Sequence, residues 1–257
     1  MDLPEVYIVR SALFGTDFSL KFWLAMLTIA LAIWDKRTER RNDYLWVLGI
    51  GFLIWSLVEF VLQGLGIREI SNPSFYGITL PFFIAIPLQG ITAGAAVILF
   101  GLFIGDRIGT KRTRAVALTL LLALVTLVLA RVIFQDISTV PAAASRRELF
   151  APLPLVFLSL VTIFDIVFWF KYPAFRKRVA MAALVIFIVV TIWTIAQVST
   201  GNRWIEIVSL VEYQPASWGL SFFAFAFDVI VEIVFAYLPF FAIPAMAEKV
   251  GAKLLSR

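Results

Sequence analysis

Two carboxylates, Asp228 and Glu232, lie four residues apart within the otherwise apolar stretch Phe222–Phe241. In a helix this spacing places both side chains on one face, roughly 6 Å apart. A carboxylate in lipid costs on the order of 3 kcal/mol, so an apolar residue would serve better there unless the acids have a function. Two acids this close in a low dielectric cannot both ionise cheaply, so their titration is coupled. The pair therefore predicts a site that binds a proton or a small cation.

Other polar residues within apolar stretches extend this candidate site. They are Glu59, Gln89, Arg131 and Asp165. The four carboxylates face one arginine, an excess of acid that favours a proton or cation and disfavours an anionic substrate. We expect a polar cavity with Glu232 at its floor and Asp228 on its wall. Two alternatives stay open: Arg131 reaches the lipid headgroups, and Asp165 is a structural hydrogen-bond partner of another helix.

Composition places the chain among membrane proteins. Hydrophobic residues make up 61% and charged residues 15%, and the mean hydropathy is +0.95, values typical of membrane-embedded chains. The absence of Cys and His removes thiolate and imidazole ligands, and we predict no metal and no other cofactor. We assign the net charge of +5 to basic loops beside a lipid bilayer and not to a nucleic-acid partner.

The elements that must position these residues are seven apolar stretches, each long enough for the ~30 Å hydrocarbon core. They are Phe18–Trp34, Tyr44–Leu65, Thr79–Ile104, Ala115–Phe134, Leu153–Phe170, Val179–Ser199 and Gly219–Met246. The predicted fold is an all-α polytopic membrane protein in which residues 1–257 form a single transmembrane domain. The segment Trp204–Val211 between the last two stretches is expected to form a short interfacial helix.

The charges of the loops predict the orientation. Basic residues concentrate in alternate segments, at Lys36, Arg37, Arg40, Arg41, Arg107, Lys111, Arg112, Arg114, Lys171, Arg176, Lys177, Arg178, Lys249, Lys253 and Arg257. The other segments carry only Arg68, Arg146, Arg147 and Arg203. The positive-inside rule then places the N-terminus outside and the C-terminus in the cytoplasm, in the plasma (inner) membrane.

The sequence also contains an internal similarity. Tyr76-Gly77-Ile78-Thr79 opens the third stretch as Trp218-Gly219-Leu220-Ser221 opens the seventh. We therefore predict two parallel copies, at about 16–105 and 152–247, joined by a linker helix at about 115–134. This architecture resembles that of the SWEET and PQ-loop transporters. Their Pro-Gln dipeptide is absent here, so the resemblance assigns no binding residue.

Three classes of function fit these observations. The first is a small seven-helix transporter or channel, coupled to protons or cations through the intramembrane carboxylates. The second is a subunit of a larger membrane complex, with other membrane subunits as partners. The third is an intramembrane enzyme that uses Asp228 and Glu232 as acid and base on a lipid or isoprenoid. Helix number and acid catalysis resemble membrane lycopene cyclases, whose adjacent paired glutamates are missing here. We favour transport over catalysis.

Overall fold

Helices dominate the architecture. The structure, a computed structural model, describes residues 5–109, 111–133, 143–209 and 212–252, with the side chains of 111, 112, 128, 131, 132 and 209 excepted. Its helices are α1 (Ala12–Gly15), α2 (Ser19–Glu39), α3 (Asp43–Gly64), α4 (Phe82–Ile108), α5 (Lys111–Ile133), α6 (Pro152–Lys171), α7 (Arg176–Ser199) and α8 (Trp218–Met246). Each of the seven predicted apolar stretches thus forms a helix.

Five of these helices are long and apolar enough to cross a membrane. They are α3, α4, α6, α7 with its preceding turn, and α8. The other two long helices are not among them: α2 carries charges at both ends, and the described side chains of α5 form an unbroken apolar helix only over Thr113–Leu127, next to residue 128, whose side chain is not described. The chain is therefore an integral membrane protein by the length and composition of its helices, and seven crossings stay a prediction.

The expectation of an all-α fold is wrong, because one end of the bundle carries a β-sheet. Its strands are β1 (Val6–Ser11), β2 (Arg68–Ile70), β5 (Ala143–Glu148), β6 (Arg203–Ser209) and β7 (Glu212–Pro215), all antiparallel in the order β2-β5-β1-β6-β7. The short hairpin of β3 (Ser74–Phe75) and β4 (Ile78–Thr79) is separate. Residues 204–209 of the predicted interfacial helix Trp204–Val211 instead belong to β6, which is rich in β-branched residues, and residues 210 and 211 lie outside the described residues.

The sheet gathers strands from four separate parts of the chain. β1 precedes α2, β2 follows α3, β5 precedes α6, and β6 and β7 join α7 to α8. Since successive helices run in opposite directions, all four parts meet at the same end of the bundle. They are the segments that sequence analysis placed outside. The sheet therefore ties together the ends of helices that are distant in the sequence.

Small residues bring α4 close to two neighbouring helices. A Cβ atom at Gly90 would lie 2.1 Å from Ser56 Oγ, and one at Gly94 would lie 2.7 Å from Trp55 Cβ, both on α3. A Cβ atom at Gly101 would lie 2.6 Å from Ile186 Cγ1 on α7. The spacing of these glycines thus gives α4 two faces of close backbone approach, which places it at the centre of the bundle.

Two helices depart from α-helical geometry in their interior. α4 contains a π-helical segment at Ile91–Ala95, and α8 contains one at Asp228–Phe235. A turn at Leu238 then interrupts α8 just before Pro239, because proline lacks the N–H of a helical hydrogen bond. The segment in α8 begins at Asp228 and includes Glu232. π-Helical turns within α-helices are frequent at functional sites.

Candidate functional site

A group of charged side chains lies where the sheet meets the helices. This sheet-side cluster consists of Arg10, Asp17, Lys21, Glu59, Arg68, Arg147, Arg203, Asp228 and Glu232. Sheet strands supply the four arginines, while α3 and α8 supply three of the acids. The strands therefore place cations directly above acids that the helices hold within the bundle.

Asp228 lies at the centre of this cluster. It is 1% exposed and accepts hydrogen bonds from two arginines of different strands. Arg203 pairs with its Oδ2, and Arg147 Nη2 donates to its Oδ1 at 2.8 Å. Arg203 also donates to Thr194 Oγ1 at 3.0 Å, which ties β6 to α7 as well. One carboxylate thus connects the sheet to two helices.

Glu232 pairs with the same Arg147 that contacts Asp228. The side chain of Glu232 is 12% exposed, whereas that of Asp228 is 2% exposed. Arg147 therefore bridges the two acids, which the sequence placed on one helix face. A single guanidinium between two carboxylates leaves this trio with an excess negative charge, which one proton would neutralise.

The predicted excess of acid in the site as a whole is wrong. Glu59 is fully buried and pairs with Arg68 of β2, so each of the three best-placed acids has an arginine partner. Sequence analysis counted Arg68, Arg147 and Arg203 as loop charges, whereas the sheet folds them onto the acids. Counting the whole sheet-side cluster, four acids face five bases, and the balance among the described residues is positive.

A cavity of about 220 Å³ extends from this cluster into the bundle between α2, α4, α5, α7 and α8. Its sheet-side end is lined by Arg10, Asp17, Lys21, Gln89, Gln197, Arg203 and Tyr237. Deeper in the bundle the walls are apolar, with Leu24, Val97, Phe100, Leu124 and Val189 among them. A cavity was expected with Glu232 at its floor and Asp228 on its wall, but neither acid lines it. Arg203 connects the cavity to Asp228.

Arg10 is the cation of the cavity that has no partner of its own. Its side chain forms no hydrogen bond or ion pair with any described residue, and its Nε is buried without a partner. Burial, together with the neighbouring guanidinium groups of Arg203 and Arg68, lowers the pKa of Arg10 to about 9. A negative charge beside Arg10 would therefore stabilise its protonated form.

One predicted site residue, Asp165, does not join this cluster. The side chain of Arg131 lies outside the described residues. Asp165 of α6 lies in a separate crevice of about 150 Å³, lined by apolar residues that include Phe168, Phe235 and Leu238. Asp165 is 7% exposed, and both its carboxylate oxygens are buried without a hydrogen-bond partner in the described part of the chain. The expectation that it bonds to another helix is therefore wrong for those residues.

Replacing Asp165 by Leu should stabilise the protein. The substitution removes two unsatisfied oxygens from an apolar crevice and fills it with methyl groups, a gain of about 1–3 kcal/mol. The measurement is the midpoint of thermal unfolding of the purified protein in detergent. Asp165→Asn is the matched control, because it keeps unsatisfied polar atoms in the crevice and should gain less. A lower midpoint for Asp165→Leu would show that the carboxylate has a partner it needs.

The opposite end of the bundle contains a second charged network, the distal network. It consists of Asp35, Arg41, Asp43, Tyr44, Asp106, Arg107 and Arg178. Arg178 donates to Asp106 through Nε at 2.9 Å and Nη2 at 2.6 Å, and to Asp43 at 2.6 Å. Three arginines face three aspartates, so the network is neutral.

The distal network changes how the basic residues of that end are understood. Arg107 and Arg178 were counted as exposed loop charges, yet they are 0% and 1% exposed and ion-paired. The hydroxyl of Tyr44 accepts from Arg107 at 2.9 Å and donates to Asp106 at 2.7 Å. These residues therefore hold α3, α4 and α7 together, and the charge asymmetry between the two ends is smaller than the sequence suggests.

Sequence reasoning missed Arg10, Lys21, Arg68, Arg147, Arg203 and Gln197 as members of the cluster or cavity. A signal was present in the β-branched and aromatic residues of Val6–Ser11 and Arg203–Ser209, which are typical of strands. Strands at one end of a helical bundle would have indicated that their arginines face the bundle. Comparison of the chain with known protein families, curated proteins and solved structures finds no match.

Proposed function

We propose that this chain is a small membrane transporter coupled to protons, with its sheet outside and its distal network in the cytoplasm. The observation that carries the proposal is the continuous path from an internal cavity to an acid pair. Arg203 lines the cavity and pairs with Asp228, and Arg147 joins Asp228 to Glu232. A change of charge at Glu232 would therefore be transmitted to the cavity wall through contacts.

Glu232 is the group that we assign to the proton. It is the more exposed acid of the pair, so water can reach it more readily than Asp228. When Glu232 gains a proton, its ion pair with Arg147 weakens, and Arg147 then pairs with Asp228 alone. Arg203 shares Asp228 with Arg147, so the position of Arg203 on the cavity wall changes as well. The positive balance of the cluster favours a proton over a metal cation as the coupling ion.

The internal repeat fits this proposal and is part of it. At the offset that aligns Tyr76 with Trp218, the π-helical segments of α4 and α8 overlap. Each of these helices packs against the second long helix of its own copy, α3 or α7. Each also packs against the second long helix of the other copy. Two copies related by a pseudo-twofold axis would produce this exchange of contacts, with α5 as the linker.

The test is proton movement into proteoliposomes that hold a trapped pH dye. An inward pH gradient is imposed, with valinomycin and potassium to compensate charge. Wild-type protein should acidify the interior, and Glu232→Gln should abolish this flux, because glutamine keeps the size and much of the hydrogen bonding but cannot titrate.

Glu206→Gln is the matched control. Glu206 also pairs with a strand arginine, Arg146, but it lies on the sheet away from the cavity. Its substitution should leave proton flux unchanged. Unaltered flux in the Glu232→Gln protein would end the coupling role of that residue, and an absence of flux in wild type would reject the transporter.

One observation favours the second candidate, a subunit of a larger membrane complex. α6 packs mainly on α8 and exposes Leu160, Ile163 and Phe170 at 58% or more. The unpaired Asp165 lies on this peripheral helix. A basic residue on a helix of another subunit would satisfy it. The intramembrane enzyme has no such support, since arginines engage both of its proposed acid–base residues and neither lines the cavity.

A further inference from the structure

We propose that the cavity binds a single-chain amphiphile with an anionic head group, a carboxylate or a phosphate. The head would lie beside Arg10 and Lys21 at the sheet-side end, and the chain would run toward Phe100. This inference names the substrate class of the proposed transporter and so rests on that function. It reverses the sequence-based expectation of a cationic solute.

The head-group end holds two cations, Arg10 and Lys21, that form no ion pair with a described acid, although the carboxylate of Asp17 lines the same cavity. Arg10 has no ion pair in the described part of the chain. Among the described residues, Lys21 Nζ donates to the carbonyl oxygen of Gly15, at 3.1 Å, and lies 3.8 Å from the centre of the Phe18 ring. Both side chains line the cavity. Charge-assisted hydrogen bonds from these two groups are what a carboxylate or phosphate would accept.

Two buried carboxamides add to the same end. Gln89 of α4 and Gln197 of α7 are each 1% exposed, and their side-chain oxygens have no hydrogen-bond partner among the residues that the structure describes. Both line the cavity. A carboxamide can present its oxygen or its N–H groups to a ligand, so the pair can serve an ionised or a protonated head.

The deeper part of the cavity suits one hydrocarbon chain. The cavity follows α4 from Gln89 to Gly101, roughly 18 Å at 1.5 Å per residue. One leaflet of the ~30 Å hydrocarbon core is about 15 Å deep, so the cavity reaches about as far into the bundle as one leaflet. The volume of about 220 Å³ is small for a ligand site, which favours one chain over the two of a phospholipid.

The combination of a cationic end and apolar walls disfavours ligands that match only one of the two. A small hydrophilic anion would fill the polar end but leave the apolar walls of Leu24, Val97 and Phe100 in contact with nothing. An uncharged hydrocarbon would leave Arg10 and Lys21 without a counter-charge. An amphiphile satisfies both ends at once.

The experiment measures binding to the full chain, purified in detergent, by displacement of a fluorescent fatty acid. The probes are palmitate, a palmitoyl lysophosphatidic acid and hexadecanol as the uncharged control. Both anions should compete at least about tenfold better than hexadecanol, because each gains charge-assisted hydrogen bonds. Whichever anion competes better identifies the head as carboxylate or phosphate.

Two variants locate the site. Arg10→Gln should weaken the anions about tenfold and leave hexadecanol unchanged, and Ala93→Phe should weaken all three probes by filling the chain-binding part. Arg146→Gln is the control for the head, since Arg146 lies on the same sheet and pairs with Glu206 outside the cavity. Thermal unfolding midpoints verify that each variant is folded.

Equal competition by hexadecanol and palmitate would overturn the proposal. So would anion binding that Arg10→Gln and Ala93→Phe both leave intact in folded protein. Binding is measured without any gradient, so its outcome is separate from that of proton flux. Anion binding without flux would reject the transporter and keep the ligand class, and flux without anion binding would do the reverse.

Discussion

Asp106→Asn should destabilise the protein by about 3–5 kcal/mol, because it removes the acid of a buried ion network and leaves the arginine buried. The carboxylate of Asp106 accepts from Arg178 twice, from Tyr44 at 2.7 Å and from Arg41 at 3.5 Å. Arg178 is 1% exposed and has no access to water as a substitute. Asparagine would also direct an N–H₂ group toward donors.

The measurement is the free energy of unfolding by SDS titration from mixed micelles. Lys177→Gln serves as the control, since it removes one charge from an exposed position next to Arg178 and should change stability by less than about 0.5 kcal/mol. The double variant Asp106→Leu with Arg178→Met should recover part of the loss, because the uncompensated charge is gone. A loss below about 1 kcal/mol for Asp106→Asn would mean that the network contributes little.

The helices were predictable because apolar length is a strong signal. A stretch such as Tyr44–Leu65 has no polar residue until Ser56, and backbone groups in lipid must pair within their own segment. Charged and capping residues then mark the ends. The observed helix, Asp43–Gly64, differs from the predicted stretch by one residue at each end.

The sheet was harder to predict because its strands are short and come from segments far apart in the sequence. β1 pairs with β5 and β6, each more than 130 residues away. The segment Arg203–Ser209 is short and alternates only at Ile205–Ile207, so its pattern alone does not distinguish a strand from a short interfacial helix. Only the pairing, a tertiary property, distinguishes the two.

The candidate site was predicted only in part, because its residues also come from segments far apart in the sequence. The residue types and spacing of Asp228 and Glu232 identified the acids of the cluster. Their partners could not be identified, because Arg147 and Arg203 reach them from strands that lie 81 and 25 residues from Asp228. Charge counted along the sequence therefore gave the wrong sign for the cluster, whereas the class of ligand stays a prediction.

Asp228→Asn should be more damaging than removal of either arginine that contacts it. Asp228 accepts from Arg203 and Arg147 together. Among the described residues, its loss leaves Arg203, whose side chain is 1% exposed, with Thr194 as its remaining partner and leaves Arg147 with Glu232 alone. We expect a loss of about 3–5 kcal/mol.

Arg203→Met should cost less, about 1–3 kcal/mol, because Arg147 still pairs with the carboxylate it leaves behind. The same SDS titration measures both variants and the double variant, and the cycle gives the coupling between the two side chains. If Asp228 holds both arginines in place, Asp228→Asn must lower the free energy of unfolding more than Arg203→Met. If Arg203→Met were the worse variant, Arg203 would have a second role beyond its pair with Asp228. Arg203 lies on the cavity wall, so a group bound in the cavity would be the first explanation to test. An empty cavity would lose no contact when the guanidinium is removed.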